Sequence, residues 1–399
     1  MSTSGRTDDG PADSASDVAA SLREADFVRV LARADGDCLA GAGLLARALA
    51  DSGVPYQIRI GRFGETLAPP ESDESADEDG DRDTTVGVGL DSTADASVTG
   101  EATPASVTAF DAAQELGASP DPVLALAGVV AAGRPAGAGE SAHVLEQARD
   151  AGLGRRNGVG VPTDDLADGL AHSTLAHAEY SGDTEAVQAT LAELGLPAEL
   201  GGEDHRTVAS EFALAVTGAD AATDRAAETV ERALRPHAIP GDGADANAPF
   251  ATVEGYADVL EAVARERPGT GVALALGHDA RADALDAWRD HAARAHEVLR
   301  EGTTGRYDGL FALRTDEAPV ETVARLLRDF RSPEPVAVVV SEEEAAAAAV
   351  EASGVGATMD EAAQAVGGSG GGTPGRGYAK FDPETDAKEF LAAFREARP

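Results

Sequence analysis

The 399-residue sequence predicts a two-lobed α/β protein, a parallel-sheet N-terminal domain followed by a smaller α/β domain. Three observations predict it. Hydrophobic residues make up 43% of the chain, enough for two or three packed cores. The opening alternates strand, helix and strand, a crossover that requires parallel strands. A second alternation of helices and strands follows Pro236 to Pro249, a segment dense in Gly, Pro and Asp.

Phe27 to Ala32 is an apolar run of strand length, and Asp35-Gly36-Asp37 makes an acidic turn at its carboxyl end. Leu39, Ala42, Gly43, Ala46 and Leu49 then share one helical face, and Tyr56 to Ile60 alternates as a strand does. Val86 to Leu90 reads as a buried strand ending at Asp91. Helices are predicted at 106–116, 122–132, 143–151, 184–194, 206–217 and 223–234. Beyond the Gly/Pro segment the pattern predicts helix 253–265, strand 271–276, helix 282–300, strand 309–314, helix 320–330 and strand 336–340. Ala345 to Ala349 reads as a helical extension, and a Gly-rich turn, strand 378–381 and helix 383–397 close the chain. The domain organisation expected is a disordered acidic tail at 1–21, a first domain at 22–236 with a flexible acidic insertion at 69–83, a linker at 237–249, and a second domain at 250–399.

Acidic residues number 71 against 32 basic ones, a net charge of −39, and the only lysines are Lys380 and Lys388. Carboxylates at that density repel one another unless concentrated salt screens them, which points to a molar-salt cytoplasm and removes the acidity as an argument about partners. Cys38 is the sole cysteine, which excludes an intrachain disulfide and a cysteine-based zinc site and fits a reducing compartment. No apolar run is long enough for a bilayer and residues 1–21 lack a signal-like apolar region, so the expectation is a cytoplasmic protein without a membrane partner.

Ala32-Arg-Ala-Asp-Gly-Asp-Cys-Leu-Ala40 resembles the opening motif of the DHH phosphoesterase superfamily, His-x-Asp-x-Asp-Gly followed by a helix of small residues. Asp35 and Gly36 match; Leu31 and Arg33 stand where the family has His and its first Asp. Val86 to Asp91 is similar to the strand that delivers a second metal-binding Asp, and Pro122 to Gly133 to a helix that ends in Gly-x-x-x-Asp, here without the Asp. Tyr180 to Asp183 with Leu194-Gly195 resembles the archaeal RecJ-like segment between the lobes. Tyr256 to Arg265 matches Leu-Asn-Ala-x-Gly-Arg at Leu260, Ala262 and Arg265. Gly367 to Gly377 resembles the glycine motif of the DHH-associated nucleic-acid-binding domain, and the archaeal GINS-associated nucleases are the group most resembled.

The resemblance implies a two-metal phosphodiesterase using Mn or Mg, with Asp35 and Asp91 as metal ligands and Asp37 as a possible catalytic stand-in. It implies nucleic-acid contacts at Arg265, Gly370, Gly371, Gly372 and Arg376. Against catalysis, Arg33 puts a fixed positive charge where a carboxylate belongs. The DHH triplet is also missing: Ser-Thr-Ala-Asp95 follows Asp91, and no histidine occurs before His143.

Plainer roles stand beside these. Asp37 can cap the helix that follows, Asp35 can serve an Asp-Gly turn, Cys38 can be a small packed residue, and the glycines can form a mobile loop. Asp204-His205-Arg206 and Gly277-His278-Asp279 read as surface turns and helix starts. His172 with His177, and His291 with His296, are five apart and do not share a helical face. Arg155-Arg156 and Arg325, Arg328 and Arg331 are local basic spots that read as solvated faces, with nucleic-acid contact as the alternative.

Three functional expectations result. The first is a RecJ-like protein of DNA replication or repair that binds single-stranded DNA or RNA, with lost or reduced exonuclease activity and a GINS-type replisome subunit as partner. The second is an active Mn- or Mg-dependent single-strand exonuclease or oligonucleotide phosphodiesterase. The third is an interaction protein with no nucleic-acid role.

Overall fold

The computed structural model describes residues 13–65, 82–90, 94–99, 102–197, 199–219, 222–241 and 249–398. Its first helix, α1 (Ala15–Arg23), lies partly inside the segment expected to be disordered. Ser14 and Asp17 close a capping box at its start, and Val18, Ala19 and Leu22 bury against the first core, which is why it folds. Strand β1 (Phe27–Arg33), helix α2 (Gly36–Ser52) and β2 (Tyr56–Gly61) follow as the opening unit, and α2 stops at Gly53, whose φ of 75° suits glycine.

The strands β3 (Asp83–Val88) and β4 (Ala96–Val98) complete a wholly parallel sheet of order β2-β1-β3-β4. The register pairs Val28 with Tyr56, Phe27 with Asp83 and Val86 with Ala96. Of the acidic insertion expected at 69–83, residues 69–81 lie outside the described residues, and Asp83 instead opens β3 and pairs with Arg29 at 2.6 Å.

The helices α3 (Ala105–Glu115) and α4 (Pro122–Ala131) pack beside α2, and α5 (Ala142–Asp150) packs on α4, all close to their expected positions. The short β5 (Gly154–Arg155) leads to α6 (Leu166–His172), α7 (Thr184–Glu193), α8 (Gly202–Thr217) and α9 (Asp224–Val230). The expected linker does not begin at 237: His237–Ala238 form β6, which pairs with β5, and residues 242–248 lie outside the described residues.

Nor do the next helices leave the first lobe. α10 (Val253–Glu266), α11 (Pro268–Ala275) and the first half of α12 (Arg281–Glu301) bury Tyr256, Leu260, Leu274, Leu285 and Trp288 in the same core as β1 and α2. The expected strand 271–276 is therefore a helix. Pro268 at its first turn and the Ala/Leu content start and propagate it, whereas a short apolar run alone does not distinguish strand from helix.

The second sheet comprises β7 (Thr303–Tyr307), β8 (Leu310–Arg314), β9 (Val336–Val340), β10 (Glu344–Ala349), β11 (Ser369–Thr373) and β12 (Arg376–Lys380) in the order β11-β12-β10-β9-β8-β7. Only β8 and β9 run parallel, joined through α13 (Val320–Leu326). Two expectations fail here. Ala345 to Ala349 is a central strand between β9 and β12, where the sheet position overrides the helix propensity of alanine. Gly367 to Gly377 is no simple turn but most of the β11–β12 hairpin, with Gly371 opposite Tyr378.

One face of this sheet, with Leu313, Val339, Ala346 and Tyr378, joins α6–α9 and the second half of α12 in a middle core. The other face, with Ala312, Val338, Ala345 and Ala379, packs under α14 (Val355–Ala365) and α15 (Ala387–Ala397). The alternation of the two sets along each strand is the period-2 signature of a sheet covered on both sides.

Candidate functional site

Strand β1 ends by delivering Arg33 to the carboxyl edge of the first sheet. Its guanidinium forms an ion pair with Asp35, donates to the Gly89 carbonyl at 2.7 Å and lies 4.9 Å from the Phe63 ring centre. Asp35 is also the N-cap of α2, accepting from Cys38 N–H at 2.9 Å. Burial pushes the Asp35 carboxyl up, but Arg33, helped by Arg376, the Cys38 N–H and Arg265, outweighs it and holds Asp35 well below the usual carboxylate range.

Asp37 does cap a helix, but α3 and not the α2 it opens, accepting from Ala105 N–H at 2.8 Å and Ser106 N–H at 2.9 Å. Burial and the charge of Asp35 push its pKa up to about 6. Cys38 is fully buried, and that burial raises its thiol pKa, so its place is packing. The Asp-Gly turn, the cap and the small packed cysteine are all present, and a guanidinium occupies the middle of them.

A narrow cleft of about 20 Å³ lies here between the lobes. Arg33 and Asp35 come from the first sheet, Glu261 and Arg265 from α10, Glu321 and Arg325 from α13, and Arg376 from β12. Glu261 accepts from Gly36 N–H at 2.7 Å and pairs with Arg265 at 2.8 Å; Arg265 also reaches Glu321 at 3.0 Å. Arg325 donates to Thr174 Oγ1 at 3.1 Å, and burial lowers its pKa. Neither Arg325 nor Arg376 has an ion-pair partner among the described residues. Four guanidinium groups thus face three carboxylates, in a chain whose acidic residues outnumber its basic ones about two to one.

The cleft continues into a cavity of about 350 Å³ that shares Glu261 and Arg325 and adds Arg134, Arg155, Arg232 and Arg235 to its walls. Arg235 is the one non-glycine residue with positive φ, 53°, among the described residues.

The structure therefore brings together Asp35, Arg265 and Arg376 of the residues singled out in the sequence. Asp91 lies outside the described residues. Gly370, Gly371 and Gly372 do not line the cleft: β11 lies so close to the first lobe that a Cβ on Gly64 would come within 2.8 Å of Gly370 N. These glycines serve backbone approach between lobes and a crowded hairpin, not an open loop.

The described residues do not fit a pair of divalent ions. Among them no three His, Cys, Asp or Glu side chains converge, both oxygens of Asp37 are spent on α3, and Asp35 is spent on Arg33 and its cap. The paired histidines are connectors: His177 and His296 stack in the middle core with their Nδ1 atoms 3.0 Å apart, and His291 bridges Glu266 at 2.7 Å and Thr322 at 2.9 Å.

Sequence reasoning misses Glu261, Glu321 and, of the cavity arginines, Arg134, Arg232 and Arg235. Only Glu261 carries a signal, being four residues before Arg265 on one helical face; Arg325 reads in the sequence as part of a solvated face, and the structure buries it.

The family model described as "Uncharacterized protein rrnAC1427, C-terminal domain" matches residues 302–396. The whole chain is 50% identical over 401 residues to "Uncharacterized protein rrnAC1427" of Haloarcula marismortui, covering all of both chains. Among solved structures, CDC45 from Entamoeba histolytica superposes with a TM-score of 0.56 at 10% identity, over 95% of this chain and 97% of that one. RecJ in complex with Mn2+ from Thermus thermophilus superposes with a TM-score of 0.53 at 14% identity over 97% of this chain, which spans 55% of RecJ. At such identities the likeness concerns the fold. Identical to its Haloarcula relative at half of its positions from end to end, and folded in two lobes as RecJ and CDC45 are, the chain belongs to the rrnAC1427 family and carries a RecJ-like fold.

Proposed function

We propose that the chain binds single-stranded DNA or RNA in the cleft between its lobes, as a RecJ-like component of replication or repair whose metal-dependent exonuclease chemistry is lost or reduced. The observation that carries this reading is the Arg33 guanidinium on Asp35, flanked by Arg265, Arg325 and Arg376 where the resemblance calls for metal ions. Guanidinium groups recognise phosphate oxygens through paired N–H donors and keep their charge at any physiological pH. A cleft so lined holds phosphodiesters without Mn or Mg, but its described residues include no set of ligands for two metals that would activate a water. In molar salt the release of counterions contributes little, so direct hydrogen bonds to phosphate must supply the affinity. A GINS-type subunit as protein partner, and a salt-rich archaeal cytoplasm as setting, come from the resemblance and the acidic composition.

The test is incubation of purified protein with end-labelled single-stranded DNA and RNA in multimolar KCl, with Mn or with a chelator. The reading expects binding that ignores the chelator, weakens about tenfold in Arg376→Gln, and leaves the strand intact. Mn-dependent cleavage that disappears in Asp35→Ala would overturn it in favour of an active exonuclease.

A further inference from the structure

At the far edge of the second sheet, four strand spacings or roughly 19 Å from β12, β7 pairs with β8 on one side only. Its other side directs backbone N–H and C=O groups outward, and every β7 residue is exposed or half-exposed. Thr303, Gly305 and Tyr307 share one face of this edge with Ala312 and Arg314 of β8, which lie opposite Gly305 and Thr303. The flank of α15 stands over that face with Lys388, Leu391, Ala392 and Arg395, spaced as one helical stripe.

Strand and helix enclose a groove of about 340 Å³ in which the only charged residues are basic: Arg314, Lys388 and Arg395. Arg314 and Lys388 have no ion-pair partner among the described residues, and Arg395 lies over the Tyr307 ring at 4.5 Å. A groove without a carboxylate, holding one of only two lysines, departs from the composition of a chain with 71 acidic residues.

We infer that this groove is a docking site for an acidic, extended segment of a partner protein, which adds to β7 as a further strand and places alternate carboxylates on Arg314, Lys388 and Arg395. Main-chain hydrogen bonds along β7 supply affinity that survives high salt, and the basic side chains select the charge. A second copy is a poor occupant, because twofold pairing of β7 with itself would bring two basic grooves together, each with Arg314, Lys388 and Arg395. A nucleic-acid strand would use the cations but leave the open backbone ladder unpaired.

The experiment titrates the full chain, in multimolar KCl, into a fluorescein-labelled peptide of about ten residues in which valine and threonine alternate with glutamate. Parallel titrations use the same peptide with two central valines changed to proline, a lysine version, and oligothymidylate. The expected result is saturable binding of the glutamate peptide but not of the proline or lysine versions, slowed hydrogen exchange at Thr303–Tyr307, and at least about tenfold weaker peptide binding in Lys388→Glu/Arg395→Glu, with oligothymidylate binding unchanged in that variant because it belongs to the cleft; both positions are exposed, and folding is checked by thermal unfolding. No binding of the glutamate peptide, or equal binding by the proline peptide or by the folded double variant, overturns the inference. Loss of oligothymidylate binding in the double variant, without peptide binding in the parent, would reassign the groove to nucleic acid.

Discussion

At Asp37 a carboxylate kept for its hydrogen bonds sits beside another carboxylate. Because its folded pKa, about 6, is above the ordinary 3.8, the folded state holds a proton that the unfolded state has released between these values. Its contribution to stability is therefore lost as pH rises from about 4 through 6. In Asp37→Asn this dependence vanishes, so between pH 4 and pH 7 the stability difference should move in the variant's favour by about 3 kcal/mol, as read from urea unfolding of both proteins. Asp35 behaves oppositely, since Arg33 holds it ionised. Arg33→Asp would leave buried like charges unpaired and is expected to cost about 3–5 kcal/mol. It is also expected not to gain Mn-dependent cleavage of single strands, because the histidines of the DHH triplet remain missing. Strong cleavage by that variant would refute this account of the site. The Arg33 substitution was legible in the sequence as an obstacle to metal; that its guanidinium closes on Asp35, two residues on, depended on the turn geometry and was not.

Elements followed their sequence signals wherever a periodic apolar face was long or a cap was present, as in α2, α3, α4 and α12. Two of the misreadings fall where side chains are nearly absent. Alanine and glycine carry little periodicity, so β10 and β11 take their conformation from the sheet that surrounds them. Their smallness has its own function, which substitutions can expose. Ala346 lies in the middle core on the strand packed by α13, and Ala346→Leu should overpack that contact and cost about 1–3 kcal/mol in thermal unfolding. In the hairpin, a Cβ on Gly372 would approach the Arg376 carbonyl oxygen to 2.1 Å, while one on Gly371 meets nothing closer than 3.7 Å. Gly372→Ala should therefore lower the unfolding midpoint, and Gly371→Ala should leave it nearly unchanged.

For the whole molecule the dominant quantity is the charge of −39, which predicts a dependence of stability on salt. The unfolding temperature should rise steeply as KCl is raised from tenths of a molar to molar, since screening reaches the exposed carboxylates. The ion pairs of the cleft are buried and should respond least, so Arg33→Asp should remain destabilising at every salt concentration. No helix among the described residues is long and apolar enough to cross a membrane. The two-lobed division was visible in the two successive alternations of helix and strand, but the boundary was not, because the helices after the Gly/Pro segment near 240 return to the first core before the second sheet begins.

α12 runs 21 residues, about 31 Å, with Trp288 fixed in the first core and Leu299 in the middle one, and ends at β7. A beam clamped at both ends holds the jaws of the cleft at a set spacing. Trp288 donates to Asp258, which receives the Thr174 hydroxyl, and Thr174 in turn receives Arg325 at the cleft wall. The helix that ends at the β7 edge is thus tied, through three hydrogen bonds that start at Trp288, to an arginine of the cleft wall.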